Sequence, residues 1–346
     1  METALPPHRY RQEEITSAFA DVCLADEPVT RQMLAKISAN AGVETRHLAL
    51  PLDAYRALDG FTAANDAWRG AALRLGEEAL HAALRTAGVR PDEVDLLIST
   101  TVTGLAVPSL EARLAQRVGL REDVKRLPLF GLGCAAGAAG VARLHDYLRA
   151  FPEQVAVLLS VELCSLTVQR DDASTANLVA CSLFGDGAAA VVAVGADRAR
   201  GASGPCVLAT RSRLYPDSED VMGWRIGSQG FSIVLSPDVA RVAEEQLPKD
   251  VHDFLGEHAL TPAEIRRWVC HPGGPKVIQA VERSLGLPAD ALAHTRSSLA
   301  RMGNLSSASV LDVLRRTMAA PPVDGSYGLL TAMGPGFAGE LVLLRW

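Results

Sequence analysis

A helix–turn–strand pattern occurs twice in this chain, and any fold must accommodate both copies. From Phe61 to Val89 the apolar positions recur at helical spacing, Gly88 can end the helix, and Arg90-Pro-Asp-Glu-Val94 leads into the strand-like Asp95-Leu-Leu-Ile-Ser99. The second copy runs from Val239 to Ala259, through Leu260-Thr-Pro-Ala-Glu-Ile265, to Arg266-Arg-Trp-Val-Cys270. Pro91 and Glu93 correspond to Pro262 and Glu264, each pair suiting a one-turn helix start with proline early and an acid at the positive end. Two such halves predict an α/β protein with mostly parallel sheets, helices on both faces, and chemistry at the carboxyl ends of strands. A seam is expected at Gly195 to Pro205, between the strands Ala188–Val194 and Cys206–Arg211, giving halves of residues 1–200 and 201–346. The first 30 residues carry a weaker pattern.

Length and composition agree with two large cores. Of 346 residues 48% are hydrophobic but only 5% aromatic, so layers are expected to meet through small side chains. A net charge of −6 gives no electrostatic footprint for nucleic acid. The six cysteines form no CxxC pair, so zinc and redox-motif readings have no support, and reduced thiols in a cytoplasmic protein are expected. Nothing at the start of the chain reads as a secretion signal. The longest uncharged, mostly apolar run, Leu127 to Ala142, is shorter than the roughly 20 residues of a membrane helix and carries one proline and four glycines.

Chemistry concentrates at three turns. Arg126 to Gly133 reads as a short buried strand ending in glycines, and Ala135 to Tyr147 reads as a helix that is rich in small residues. Cys134 therefore stands at a helix N-terminus, where free N–H groups and the helix dipole favour thiolate. Read alone, it could equally be a small core residue. His271 ends the second repeated strand and is followed by Pro-Gly-Gly, a setting none of the other seven histidines shares. Asn304 lies in a small-residue turn before a helix from Val310 to Met318, where an ordinary N-cap is the bland alternative. Ala332 to Phe337 is a glycine turn between the strand-like runs Tyr327 to Thr331 and Glu340 to Leu344.

Taken in order, LFGLGCAAGAAG (Leu129 to Gly140), LFGDGAAAVV (Leu183 to Val192), CHPGGPKVI (Cys270 to Ile278), MGNLSSASVL (Met302 to Leu311) and MGPGFAGE (Met333 to Glu340) resemble the type III polyketide synthases, the chalcone synthase-like enzymes. The resemblance runs from about residue 30 to the C-terminus. It implies a thiolase-like five-layer αβαβα fold made of two duplicated halves, the first carrying the nucleophilic cysteine and the second the histidine and asparagine. It further implies a homodimer, no metal and no cofactor beyond CoA thioester substrates. Cys134, His271 and Asn304 would condense an acyl-CoA starter with malonyl-CoA or methylmalonyl-CoA. Cys134 would hold the growing chain, with its pKa lowered by His271, while His271 and Asn304 stabilise the enolate oxygen left by decarboxylation.

Further positions follow from the same resemblance. Phe184 and Phe231 match gatekeepers between CoA tunnel and cavity; Gly334, Pro335 and Gly336 match a loop shaping the cavity wall. Thr103, Cys164, Thr167 and Ser306 fall at cavity-lining positions, Glu162 matches a buried acid, and Val107 matches a residue reaching the partner's cavity. Lys36, Arg46 and Lys276 are the candidates for CoA phosphates, although Met33 stands where plant enzymes have lysine. Cys164 replaces a plant threonine, which points to a bacterial subgroup. The small residues lean toward a fatty acyl starter and an alkylresorcinol or alkylpyrone, with a malonyl-only naphthol-forming synthase as the alternative product. A ketoacyl-ACP synthase III shares fold and residue types but places its histidine in an HQAN-like context, HMG-CoA synthase needs a catalytic glutamate not evident here, and an inactive scaffold would leave reactive positions unfilled.

Overall fold

The computed structural model describes residues 1–24, 28–170, 172–202 and 204–346; residue 203 of the expected seam lies outside the described residues. The first sheet has the strand order Glu2–Ala4, Asp186–Val194, Val155–Leu163, Leu96–Thr101, Lys125–Phe130, and the second Ile265–Cys270, Tyr327–Gly334, Ala338–Arg345, Cys206–Leu214. The chain leaves the first sheet at Val194 and enters the second at Cys206.

The two repeats take equivalent places. Leu96–Thr101 runs parallel to Val155–Leu163, which is antiparallel to Asp186–Val194; Ile265–Cys270 runs parallel to Tyr327–Gly334, which is antiparallel to Ala338–Arg345. The sheets are thus mixed rather than mostly parallel. In the second half the physical reason is a connection of only residues 335–337, too short for a crossover. Both repeats also keep their turn chemistry. Pro91–Glu93 and Pro262–Glu264 are single helical turns in which the Arg90 N–H donates to Glu93 (2.9 Å) and the Thr261 N–H donates to Glu264 (2.8 Å).

Side-chain alternation builds five layers. In the strand Leu96–Thr101, Leu97 packs outward beneath Trp68 and Leu80 of the helix Gly60–Ala87, while Leu96 and Ile98 pack inward. In Tyr327–Gly334, Leu329 packs outward with Leu247 and Phe254 of the helix Val239–Gly256, while Leu330 packs inward. Between the inner faces lie two central helices, Ala136–Ala150 and Ser307–Ala319, which touch each other and strands of both sheets. A Cβ at Gly137 would stand 2.2 Å from the Ser307 carbonyl oxygen, so this crossing requires the small residues that the sequence concentrates here. The arrangement is αβαβα.

Two local expectations change. The strand before Cys134, Lys125–Phe130, is an edge strand and is largely exposed, because the first sheet ends there. The N-terminal segment is ordered: Glu2–Ala4 extends the first sheet beside Asp186–Val194, and the helix Gln12–Cys23 buries Ile15 and Phe19. Among the described residues no helix is long and apolar enough to cross a membrane.

Candidate active site

Cys134 sits in a single turn, Gly133–Ala135, that runs directly into the central helix Ala136–Ala150. Gly131 (φ 92°) and Gly133 (φ 48°) adopt backbone angles that bend the chain from edge strand to helix. The turn is clamped by the second half: a Cβ at Gly334 would lie 2.5 Å from the Leu132 carbonyl oxygen and 2.7 Å from the Ala135 nitrogen. Cys134 is 7% exposed, its thiol donates to the Ser306 hydroxyl (3.7 Å), and the Asn304 side chain acts to lower its pKa.

His271 follows the strand Ile265–Cys270, its N–H bonded to the Thr331 carbonyl (2.9 Å), before Pro272, Gly273 and Gly274 open the helix Pro275–Ser284. Among the described residues neither ring nitrogen has a hydrogen-bond partner, Cys134 included. Asn304 lies between the helix Ala293–Met302 and the second central helix, which starts at Ser307, three residues earlier than its apolar spacing indicates. Asn304 is not the N-cap; Ser306 holds that place, at φ 49°, a strained angle for a residue with a side chain. The Asn304 carbonyl Oδ1 accepts from the Ser306 N–H (2.8 Å), which turns the Nδ2 amide toward the thiol. Its backbone bridges Phe184: the Asn304 N–H donates to the Leu183 carbonyl (2.8 Å) and the Gly185 N–H to the Asn304 carbonyl (3.0 Å).

A cavity of about 740 Å³ unites these groups. Its wall includes Cys134, His271 and Asn304 together with Phe184, Ser306, Pro335, Lys36 and Lys276, and is otherwise mostly apolar. Other expected residues lie elsewhere. Thr103, Cys164 and Thr167 are buried in a packed layer off this cavity wall: Thr103 accepts from Trp68 (3.3 Å) and donates to Glu162 (3.0 Å), and Thr167 donates to the Cys164 carbonyl (2.8 Å). Phe231 packs against Phe61, Phe130 and Trp224 rather than on the wall. Gly334 and Gly336 flank Pro335 behind it. Arg46 corrects the expectation of a CoA contact: it is 0% exposed and absent from the wall, because its strand, Thr45–Leu48, turns the side chain inward. Val107 is 95% exposed.

Burial dominates the charges. It pushes the Cys134 thiol up to about 12, against the lowering effect of the Ser306 and Asn304 hydrogen bonds, and pushes the His271 imidazole down to about 3. Burial thus favours the uncharged form of each group, against the expectation of a thiol whose pKa is lowered. Glu162, also fully buried, is raised to about 7 by burial while Ser307 (2.5 Å), Thr103 (3.0 Å) and the Val102 N–H (3.1 Å) donate to it. Thr331 escaped sequence reasoning. Its buried hydroxyl has no hydrogen-bond partner among the described residues, and the residue lines the cavity with His271. A polar residue at the carboxyl end of the strand paired with the histidine strand was the available signal. Among the described residues no cluster of three metal-ligating side chains occurs.

Two interlocked, duplicated halves around a pair of central helices are the architecture of thiolase-like enzymes. The N-terminal domain of chalcone and stilbene synthases matches residues 1–198 and the C-terminal domain matches residues 207–346. The chain belongs to this family and is a type III polyketide synthase, which forms carbon–carbon bonds by Claisen condensation. It is 55% identical to 1,3,6,8-tetrahydroxynaphthalene synthase of Streptomyces peucetius subsp. caesius, covering 100% of this chain and 92% of that protein. With phloroglucinol synthase of Pseudomonas fluorescens it shares 31% identity over 99% of this chain and 96% of the relative. The crystal structure of 1,3,6,8-tetrahydroxynaphthalene synthase from Streptomyces coelicolor A3(2) superposes with a TM-score of 0.93 at 31% identity, covering 99% of this chain and 97% of that one.

Proposed function

We propose that this enzyme uses malonyl-CoA as both starter and extender and forms 1,3,6,8-tetrahydroxynaphthalene or a close isomer. The observation that carries this reading is the 55% identity, along the whole chain, to a relative bearing that activity in its name. It replaces the lean toward a fatty acyl starter, whose basis weakens because Thr103 and Cys164 do not line the cavity around the thiol. The ten ring carbons of such a naphthalene correspond to five two-carbon units.

In this mechanism Cys134 passes its proton to His271 and attacks the thioester carbonyl; the CoA thiolate leaves and takes up that proton. A buried thiolate–imidazolium pair is neutral as a unit, so it escapes much of the penalty that burial imposes on either charge alone. A second malonyl-CoA then loses carbon dioxide. The enolate oxygen is held by His271 Nε2–H and Asn304 Nδ2–H, donors of a kind worth about 3 kcal/mol each. Its carbon attacks the Cys134 thioester, which moves the chain onto CoA and frees the thiol. Lys36 and Lys276 attract the CoA phosphates, Phe184 screens the reacting carbons from water, and exposed Val107 sits in the interface of a homodimer. The halves 1–200 and 201–346 then divide the labour between nucleophile and enolate donors.

Incubation with malonyl-CoA alone, and with hexanoyl- or lauroyl-CoA added, separates the starters by mass spectrometry. A ten-carbon aromatic product from malonyl-CoA alone, unaffected by acyl-CoA, is expected. Products that require the acyl-CoA and retain its chain overturn the malonyl-only reading.

A further inference from the structure

We propose that Arg46 is a positioning residue for Asn304 and Phe184, an inference that rests on the role given above to Asn304 as an enolate donor. The strand Thr45–Leu48 is fastened to the end of the helix preceding Asn304: the Glu44 N–H donates to the Ala300 carbonyl (2.7 Å), and the Thr45 hydroxyl to the Arg301 carbonyl (2.8 Å). From there the Arg46 side chain runs past Gly303, where a Cβ would stand 3.1 Å from Arg46 Cγ and 3.0 Å from Cδ. It ends with Nη1 donating to the Phe184 carbonyl (2.8 Å).

That carbonyl lies inside the backbone bridge that holds Asn304. The Leu183 carbonyl receives the Asn304 N–H, the Phe184 carbonyl receives Arg46, and the Gly185 N–H returns to the Asn304 carbonyl. Gly303, at φ 71° and with no room for a Cβ beside the Leu183 carbonyl (2.7 Å), closes the other side. The Arg46 side chain thus meets both segments, its aliphatic stem beside Gly303 and its guanidinium on the Phe184 carbonyl.

The charge is costly there. Among the described residues Nε and Nη2 have no hydrogen-bond partner, the side chain is fully buried, and burial pulls its pKa down to about 10. Cys181 first and then Asp186, two residues beyond Phe184, offset part of that cost, and the Asp186 carboxylate is itself engaged by the Ala49 N–H (2.6 Å) and the Ser165 N–H (2.8 Å). An apolar side chain of similar volume would fill the space without desolvating a cation. What it could not do is bind the Phe184 carbonyl. Because misplacing a catalytic group by about 1 Å can cost about 100-fold in rate, a bond that fixes the bridge carrying Asn304 has a direct route to the decarboxylation step.

Arg46→Met and Arg46→Lys in the full-length enzyme test this. Decarboxylation is read as labelled carbon dioxide released from malonyl-CoA, loading of Cys134 by intact-protein mass, and folding by the thermal midpoint. Arg46→Met should lower decarboxylation about tenfold or more relative to loading. Arg46→Lys, which keeps the charge and a donor, should recover part of it. Adding Arg46→Lys to Asn304→Ala should cause little further loss, since both act through one amide. Equal losses in both steps that track the thermal midpoint, or additive losses in the double variant, overturn the proposal. Should Arg46→Met fail to fold, Arg46→Lys and the double variant carry the test. If Asn304→Ala itself leaves the ratio unchanged, the role of Asn304 fails first; if it lowers the ratio and the Arg46 variants do not, only the positioning role falls.

Discussion

The two halves use the same plan and spend its openings differently. In each, a repeated helix–turn–strand leads to a strand whose carboxyl end points toward the middle of the molecule, and a central helix begins nearby. In the first half that strand end is packed shut: Thr101, Val102 and Thr103 are tied to Glu162, with Trp68 against Thr103. In the second half the equivalent end carries His271 and opens into the cavity through Pro-Gly-Gly. The central helices differ in the same complementary way, one starting just after Cys134 and the other just after Asn304 and Ser306. The duplicated plan therefore offers two equivalent corners, and the cavity forms where Cys134 from one half comes together with His271 and Asn304 from the other.

Removing the nucleophile should have the largest effect. Cys134→Ala should abolish product formation because the chain loses its covalent tether, whereas Cys134→Gln should still release carbon dioxide from malonyl-CoA, since the second half keeps His271 and Asn304. Product from the alanine variant, read by mass spectrometry, would refute the assignment of the nucleophile.

The coupling between halves can be measured through the thiol. In His271→Ala the Cys134 proton loses its acceptor while the burial that already pushes the thiol up remains, so inactivation by iodoacetamide should titrate at higher pH than in the wild type. Coincident profiles would mean that the imidazole does not share the proton.

Gly137 and Gly70 compare the central layer with the outer one. Gly137→Ala drives a Cβ into the Ser307 backbone where the two central helices cross and should cost about 1–3 kcal/mol in denaturant unfolding. Gly70→Ala meets only the Arg74 side chain at 3.7 Å, in the exposed middle of the helix Gly60–Ala87, and should stabilise by about 0.5–1 kcal/mol. Equal effects at both sites would contradict the close central crossing.

The smallest expected effect concerns the corner packed shut. Glu162 has its pKa raised to about 7 in the folded state, so between the unfolded value and 7 the folded chain retains a proton that the unfolded chain has released. Its contribution to stability therefore falls as pH rises through that window. Glu162→Gln should remove this component, so the thermal midpoint of the variant minus that of the wild type should grow from pH 5 to pH 7. A difference that stays flat would show that Glu162 is ionised throughout.

Much of this was legible in the residues because it depends on near neighbours. The spacing of Phe61 to Val89, Gly88 as a helix end, and proline with glutamate at both one-turn helices are short-range steric and hydrogen-bonding choices, and they appear at nearly the positions expected. The glycines around Cys134 and after His271 likewise marked turns that present those side chains. Burial was harder to read. Leu127 and Leu129 suggested a buried strand, but Lys125–Phe130 is the sheet's edge, and Arg46 in a basic stretch suggested surface while its strand faces the interior.

By itself the sequence determined the duplicated order of helices and strands, the turns at Cys134, His271 and Asn304, and membership in the type III polyketide synthases, because local patterning and motif order are properties of neighbouring residues. Only the tertiary structure decided that Thr103 and Cys164 lie off the cavity wall and that Ser306 meets the thiol. It alone also decided that Arg46 binds the bridge between Phe184 and Asn304. Those contacts join residues from distant parts of the chain, and they exist only once two sheets and two central helices have been packed face to face.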